Sequence, residues 1–172
     1  AYWEDGAQMV SPHDTNTIDY VNKIQGVSEI KFEGNPELFT IIGEDIDKIY
    51  LDRIKTLSLS PDVIARQKDM KIVYTPIHGT GKNLIPRSLA LWGFENVIHV
   101  PEQDIQSGDF PTVESPNPEV PSAMAMAIEK AKEVDADIIM ASDPDADRVG
   151  VVVKNLKGEY EYIRATVVDK EG

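Results

Sequence analysis

The run Ile138-Ile139-Met140-Ala141-Ser142, followed by Asp143-Pro144-Asp145-Ala146-Asp147-Arg148, decides how this chain is read. A short, mostly apolar run that ends in a polar turn reads as a buried strand. The turn after it sets carboxylates at alternate positions, and alternate positions of extended backbone share a face. Like charges gathered there repel one another. A hard divalent cation removes that repulsion, and carboxylate oxygens suit Mg²⁺, Mn²⁺ or Ca²⁺. Open α/β sheets bind ligands beyond the carboxyl ends of their strands, which is where this loop falls. Asp143, Asp145 and Asp147 are therefore candidate metal ligands. Arg148, next to them, carries a planar fork suited to phosphate.

Other readings of the same loop remain open. A calcium loop of EF-hand type also begins D-x-D-x-D, but its sixth position is glycine and its twelfth a bidentate glutamate. Those positions are Arg148 and Lys154 here. A phosphatase with an aspartate nucleophile also places D-x-D after an apolar strand, although the third Asp and the Arg fit that pattern poorly. The plainest alternative is a solvated acidic turn.

Upstream, Lys71 to Tyr74 reads as a strand. It leads into the loop Thr75-Pro76-Ile77-His78-Gly79-Thr80-Gly81-Lys82 and a helix striped by Leu84, Ile85, Leu89 and Trp92, with Gly93 as its stop. The glycines of that loop suit either a phosphate cradle at a helix start or a plain strand-to-helix turn; the full P-loop spacing is lacking. Asn96 to Val100 is a second strand. Pro101 to Pro121 is a long proline-rich loop, and loops of that length in compact domains are often functional. Met124, Ala127, Ile128, Ala131 and Val134 stripe another helix. Downstream, Val149 to Lys154 and Glu159 to Ile163 read as strands joined by a turn at Lys157-Gly158. The expected fold class is α/β: a small mixed, partly parallel sheet flanked by helices.

The first part of the chain is different in style. Tyr2 to Val10 reads as a short strand and a turn at Asp5-Gly6. Ser11 suits a helix N-cap, Pro12 the first helical position and Asp14 the positive helix end. Ile18, Val21 and Ile24 give that helix an apolar face. Ile42, Ile46, Ile49, Tyr50, Arg53, Ile54 and Leu57 then recur at helical spacing, and Ser58 to Pro61 ends or bends this second helix.

Composition narrows the function. The chain has 172 residues, 41% of them hydrophobic, which is enough for a core. Its net charge of −13, with no local basic patch, argues against a nucleic-acid or anionic-membrane partner. There is no cysteine, so no disulfide framework, thiolate nucleophile or zinc–thiolate site. No apolar run approaches the roughly 20 residues of a membrane helix. We expect a cytoplasmic protein, and the opening Ala1-Tyr2-Trp3 suggests a piece of a longer chain.

Three separated motifs together resemble the α-D-phosphohexomutase family, which includes phosphoglucomutase and phosphomannomutase. They are Tyr74 to Gly81, then Phe110 to Val113 with Ser115 to Glu119, and Ser142 to Arg148. Their order and spacing are similar to the family's second domain. Tyr2 to Gln8 with Ser11 to Asp14 resembles the end of its first domain. The likeness is greatest to the branch with phosphoglucomutases and phosphopentomutases, and it runs to about Tyr160. It implies residues 1–60 as the end of a first domain with connecting helices, and 61–172 as a second α/β domain.

The resemblance also implies chemistry. A phosphoserine would exchange its phosphoryl group with a sugar phosphate, such as glucose 1-phosphate or glucose 6-phosphate, through a bisphosphate. Asp143, Asp145 and Asp147 would hold Mg²⁺, for which Mn²⁺ could substitute. Arg148 would neutralise phosphate charge. Apart from the resemblance, His78 is a further catalytic candidate, although a lone histidine is more often structural. The family's serine lies in a T-x-S-H-N-P motif that this sequence lacks, and Glu161 to Val168 departs from the family's continuation. The expectation is thus a metal-binding middle portion, inactive alone, whose partners are the remaining mutase domains and a sugar phosphate. Its alternatives are an aspartate-nucleophile phosphatase and a non-catalytic interaction module.

Overall fold

The computed structural model describes residues 2–163. Ala1 and residues 164–172 lie outside them, and so does most of the stretch that departs from the family's continuation. The chain forms two compact units, Ala1–Ile42 and Gly43–Gly172.

In the first unit, a bridge between Tyr2 and Gln8 closes a turn at Asp5-Gly6, where Gly6 takes a φ of 80°. Sequence reading placed a strand here; only the bridge forms. Helix α1 spans His13–Lys23. Its cap residue is Pro12, one position later than expected, and the Ser11 hydroxyl caps nothing. The reason is that the carbonyl of Val10 already accepts from the amides of His13 and Asp14, at 3.0 and 3.3 Å. Ile18, Val21 and Ile24 do share a face, but all are exposed. No described residue of this unit is buried.

The second unit holds the core. Helix α2 spans Glu44–Lys55, and α3, which starts on Pro61, spans Pro61–Arg66. The inward stripe of α2 differs from the predicted one: Leu51 is its buried residue, and Ile46, Ile49 and Tyr50 are exposed. Asp47 lies one turn before Leu51, and its charge is taken by Arg87 of the facing helix at 2.8 Å. Arg87 also reaches Glu44 at 2.8 Å. A paired carboxylate on the packing face is invisible to an apolar pattern.

The sheet is assembled from β1 (Lys71–Thr75), β2 (Asn96–His99), β3 (Ile138–Ser142), β4 (Val149–Lys154) and β5 (Tyr160–Ile163), in the order β2-β1-β3-β4-β5. β1 runs parallel to both β2 and β3, whereas β3, β4 and β5 are antiparallel. The helices α4 (Gly81–Trp92) and α5 (Ala125–Val134) supply the crossovers that parallel strands require. α4 ends on Gly93 in the left-handed conformation, and the amides of Gly93 and Phe94 return to Leu89. Alternation then splits the core. Val73, Ile139, Ala141 and Val152 pack with Ala127 and Ala131 of α5. On β1, Ile72 and Tyr74 alternate with Val73 and so face the other way, buried as well.

This topology puts the loops after β1, β2 and β3 at one end of the sheet. There the first loop packs onto the aspartate loop without room to spare. A Cβ on Gly79 would lie 2.4 Å from Pro144 Cα, and one on Gly81 2.5 Å from the Tyr74 hydroxyl. The Thr80 amide and hydroxyl both donate to the Pro144 carbonyl, at 2.8 and 3.0 Å. Below them the Tyr74 hydroxyl meets Ser142 Oγ at 2.9 Å in the core. Burial pushes the Tyr74 phenol up to about 12.

Two outcomes follow for stability. Gly79→Ala forces backbone apart and should cost ~1–3 kcal/mol in a urea melt; an unchanged midpoint would mean that the loops are not in contact. Tyr74→Phe strands the Ser142 hydroxyl and should cost ~1–2 kcal/mol. Because the folded phenol titrates above its unfolded value of about 10, its contribution is complete below pH ~10 and declines as the pH rises towards 12. Urea melts between pH 9 and 12 should therefore show wild type losing its advantage over Tyr74→Phe.

Candidate metal centre

The aspartate loop joins β3 to β4, so one end of each strand fixes it. Ala146 turns the loop back with a φ of 63°, and its amide donates to the Asp143 carbonyl at 3.0 Å. The three aspartates come together as the alternation suggested: one carboxylate oxygen from each of Asp143, Asp145 and Asp147 lies within 4.8 Å of the others. Asp143 is buried; Asp145 and Asp147 face solvent.

Arg148 organises this cluster. Its amide donates to Asp143 Oδ1 at 3.0 Å and its Nε to Oδ2 at 2.7 Å. Nε is also 3.7 Å from Asp147. Burial pushes the Asp143 carboxyl up, but the hydrogen bonds from the Arg148 amide and guanidinium, with a third from Asp147, together hold it below the usual carboxylate range. Asp147 moves the opposite way, raised by sharing a hydrogen bond with Asp143 and by the charge of Asp145. Its hydrogen bond to Asp143 pushes Arg148 up, so the guanidinium stays charged.

The donor set is all oxygen and two of its members are open to solvent. That chemistry fits Mg²⁺ or Mn²⁺, which keep several water or phosphate ligands. It does not fit an EF-hand, because Gly150 and Lys154 run on into β4 where that loop would continue.

The turn at Gly79 is a clamp. The amides of His78, Gly79 and Thr80 donate to Gln103, Pro76 and Pro144 carbonyls at 2.9, 2.9 and 2.8 Å. These three amides are engaged within the protein and are not open to a phosphate. His78 is buried, and both ring nitrogens are engaged: Nδ1 with the Ile105 carbonyl at 2.7 Å, Nε2 with the Thr112 hydroxyl at 2.8 Å. Each ring nitrogen thus has a partner within the protein. The second motif reaches the same neighbourhood through Pro118, whose carbonyl would lie 2.6 Å from a Cβ on Gly150. Sequence reading missed Gln103, which joins these loops through Thr75 and Thr112; a buried glutamine leaves no periodic signal.

Comparison with known proteins gives the arrangement its lineage. Residues 48–158 match the family model described as phosphoglucomutase/phosphomannomutase, alpha/beta/alpha domain II. A phosphoglucomutase of Staphylococcus haemolyticus is 34% identical over 94% of this chain and 29% of its own length. A glucose 1,6-bisphosphate synthase of Mus musculus is 32% identical, with 93% and 26% covered. A phosphomannomutase of Mycoplasmoides pirum is 33% identical, with 90% and 28% covered. The chain thus spans under a third of the length of these relatives. A crystal structure from Thermus thermophilus, named as a putative phosphomannomutase, shares the fold: TM-score 0.52 at 22% identity, over 64% of this chain and 24% of that one. Among the described residues no helix is long and apolar enough to cross a membrane. With its matched domain, its mixed sheet and the three motifs gathered at one end, the chain belongs to the phosphoglucomutase/phosphomannomutase family.

Proposed function

We propose that this chain is the metal-binding portion of a cytoplasmic phosphosugar mutase. Asp143, Asp145 and Asp147 would hold Mg²⁺, or Mn²⁺ in its place. The observation that carries this reading is the meeting of three carboxylate oxygens within 4.8 Å at the carboxyl end of β3. When bound, the cation would supply charge neutralisation to a transferring phosphoryl group, which is the main demand of that chemistry.

The chain's own residues do the rest. Arg148 orients Asp143 through two hydrogen bonds and leaves Asp145 and Asp147 facing solvent. The terminal nitrogens of its half-exposed guanidinium suit a phosphate oxygen. The substrate class is a hexose phosphate such as glucose 1-phosphate, converted through a bisphosphate. The phosphoserine and the sugar-reading groups would come from the remaining mutase domains. The meeting of a third carboxylate, Asp147, with those of Asp143 and Asp145 favours this reading over an aspartate nucleophile.

Titration with Mn²⁺ followed by calorimetry is the direct test. Saturable binding should appear in the wild-type chain and weaken at least about tenfold in Asp145→Asn, with the urea midpoint little changed because Asp145 is exposed. Absence of binding by the folded chain would refute a preformed centre. With glucose 1-phosphate, Mg²⁺ and a bisphosphate primer, the chain alone should give no glucose 6-phosphate; turnover would refute the assignment of the phosphoserine to another domain.

A further inference from the structure

His78 makes more connections than its position in a turn requires. Its amide donates to the Gln103 carbonyl at 2.9 Å and its own carbonyl accepts from the Ser107 amide at 3.2 Å. Its ring bonds Ile105 and Thr112 at 2.7 and 2.8 Å. Every polar group of the residue therefore goes to the long loop after β2. The next two residues, Gly79 and Thr80, are the ones pressed against and bonded to Pro144, between the first two aspartates.

The direction of each ring bond can be assigned. A carbonyl only accepts, so Nδ1 carries the proton and donates to Ile105. Nε2 then accepts from the Thr112 hydroxyl. Thr112 Oγ1 in turn accepts from Gln103 Nε2 at 3.2 Å, and Gln103 Oε1 accepts from the Thr75 hydroxyl at 2.7 Å. Thr75 Oγ1 accepts from the Ile77 amide at 3.1 Å. The donors run one way, from the Ile77 amide through Thr75, Gln103 and Thr112 to the ring of His78, the next residue along, and so close the turn against the long loop.

That closure opposes a strained backbone. Ile77 and His78 both lie at positive φ, 45° and 66°. A β-branched residue is a rare occupant of that region, and such conformations persist only where their surroundings enforce them. Without the His78 bonds, the turn would relax to ordinary φ values and take Gly79 and Thr80 with it.

We propose that His78 is a positioning residue for the metal loop: its Nδ1–H tautomer latches the long loop to the Gly79-Thr80 clamp and so holds Pro144 and the flanking aspartates in place. The metal part of this statement rests on the function proposed above; the latch itself does not.

Asparagine is the discriminating substitution. Its amide nitrogen sits where Nδ1 does and can still donate to Ile105, and it tolerates positive φ. Alanine keeps neither property. The test is amide exchange of the metal-free chain, alongside Mn²⁺ calorimetry, for wild type, His78→Asn and His78→Ala. In His78→Ala the amides of Thr80 and Arg148 should exchange at least about tenfold faster relative to those of Val73 and Ile139 in the core. Mn²⁺ affinity should fall about tenfold with them, since the three ligands lose their common geometry. His78→Asn should recover most of both.

Unchanged exchange at Thr80 and Arg148 in His78→Ala, or an asparagine variant as loose as the alanine one, would overturn the latch. If wild type binds no Mn²⁺, the metal reading fails and the exchange data still decide the latch. Should His78→Ala not fold, Thr112→Val takes its place: faster exchange at Thr80 supports the proposal, and wild-type exchange there overturns it.

Discussion

The carbonyl of Pro144 is the point on which the candidate centre depends. It accepts both the amide and the hydroxyl of Thr80. A peptide group is planar, so fixing that oxygen fixes the plane that leads into Asp145. Asp143 is already fixed at the end of β3, where the neighbouring Ser142 pairs with Val149. Two of the carboxylates thus emerge from backbone whose orientation is set by contacts outside the loop. Glycine at position 79 is the condition for this, since any side chain would occupy the space of Pro144 Cα. The amides of His78, Gly79 and Thr80, engaged by the clamp and its neighbours, are closed to a phosphate.

Parallel pairing of β1 with β2 and β3 explains why motifs far apart in sequence act together. It aligns the carboxyl ends of these strands, and the loops that leave them share one edge of the sheet. The antiparallel return of β4 then brings Gly150 beneath Pro118, which adds the second motif to the same neighbourhood. A purely parallel sheet would have needed a crossover after Ser142, and no loop as short as Asp143 to Arg148 could have closed it. The mixed sheet is therefore what permits so short and rigid an acidic loop.

The sequence made the strands, the α4 and α5 stripes and the aspartate cluster legible, because each is a local pattern with a period of its own. Ile72, Val73, Ile139 and Val152 are apolar where a buried strand must be. It was less informative where charge replaces apolarity on a packing face, as at Asp47, and where main chain replaces a side-chain cap, as at Val10. The first unit exposes the other limit. Ile18, Val21 and Ile24 have the right spacing for a covered face, yet spacing does not say what covers it. The bonding of His78 was hidden for a third reason. Its partners, Gln103, Ile105 and Thr112, are set by the path of a long loop that has no periodicity at all.

Charge gives the acidic loop its last constraint. Asp143, Asp145 and Asp147 carry three negative charges when ionised, and Arg148 returns one, held on Asp143. Two negative charges are left on the solvent side, where Asp145 and Asp147 stand. The raised Asp147 carboxyl, beside Asp143 and Asp145, is the mark of that excess. A monovalent ion would leave the repulsion half relieved, and a second arginine or lysine would close the site to a ligand. A divalent cation balances the loop and keeps its outer coordination free. A site so balanced would no longer repel a phosphate, which the net charge of −13 otherwise disfavours. On the proposed reading, Arg148 would hold Asp143 in place beside Asp145 and Asp147, and all three carboxylates would serve the ion.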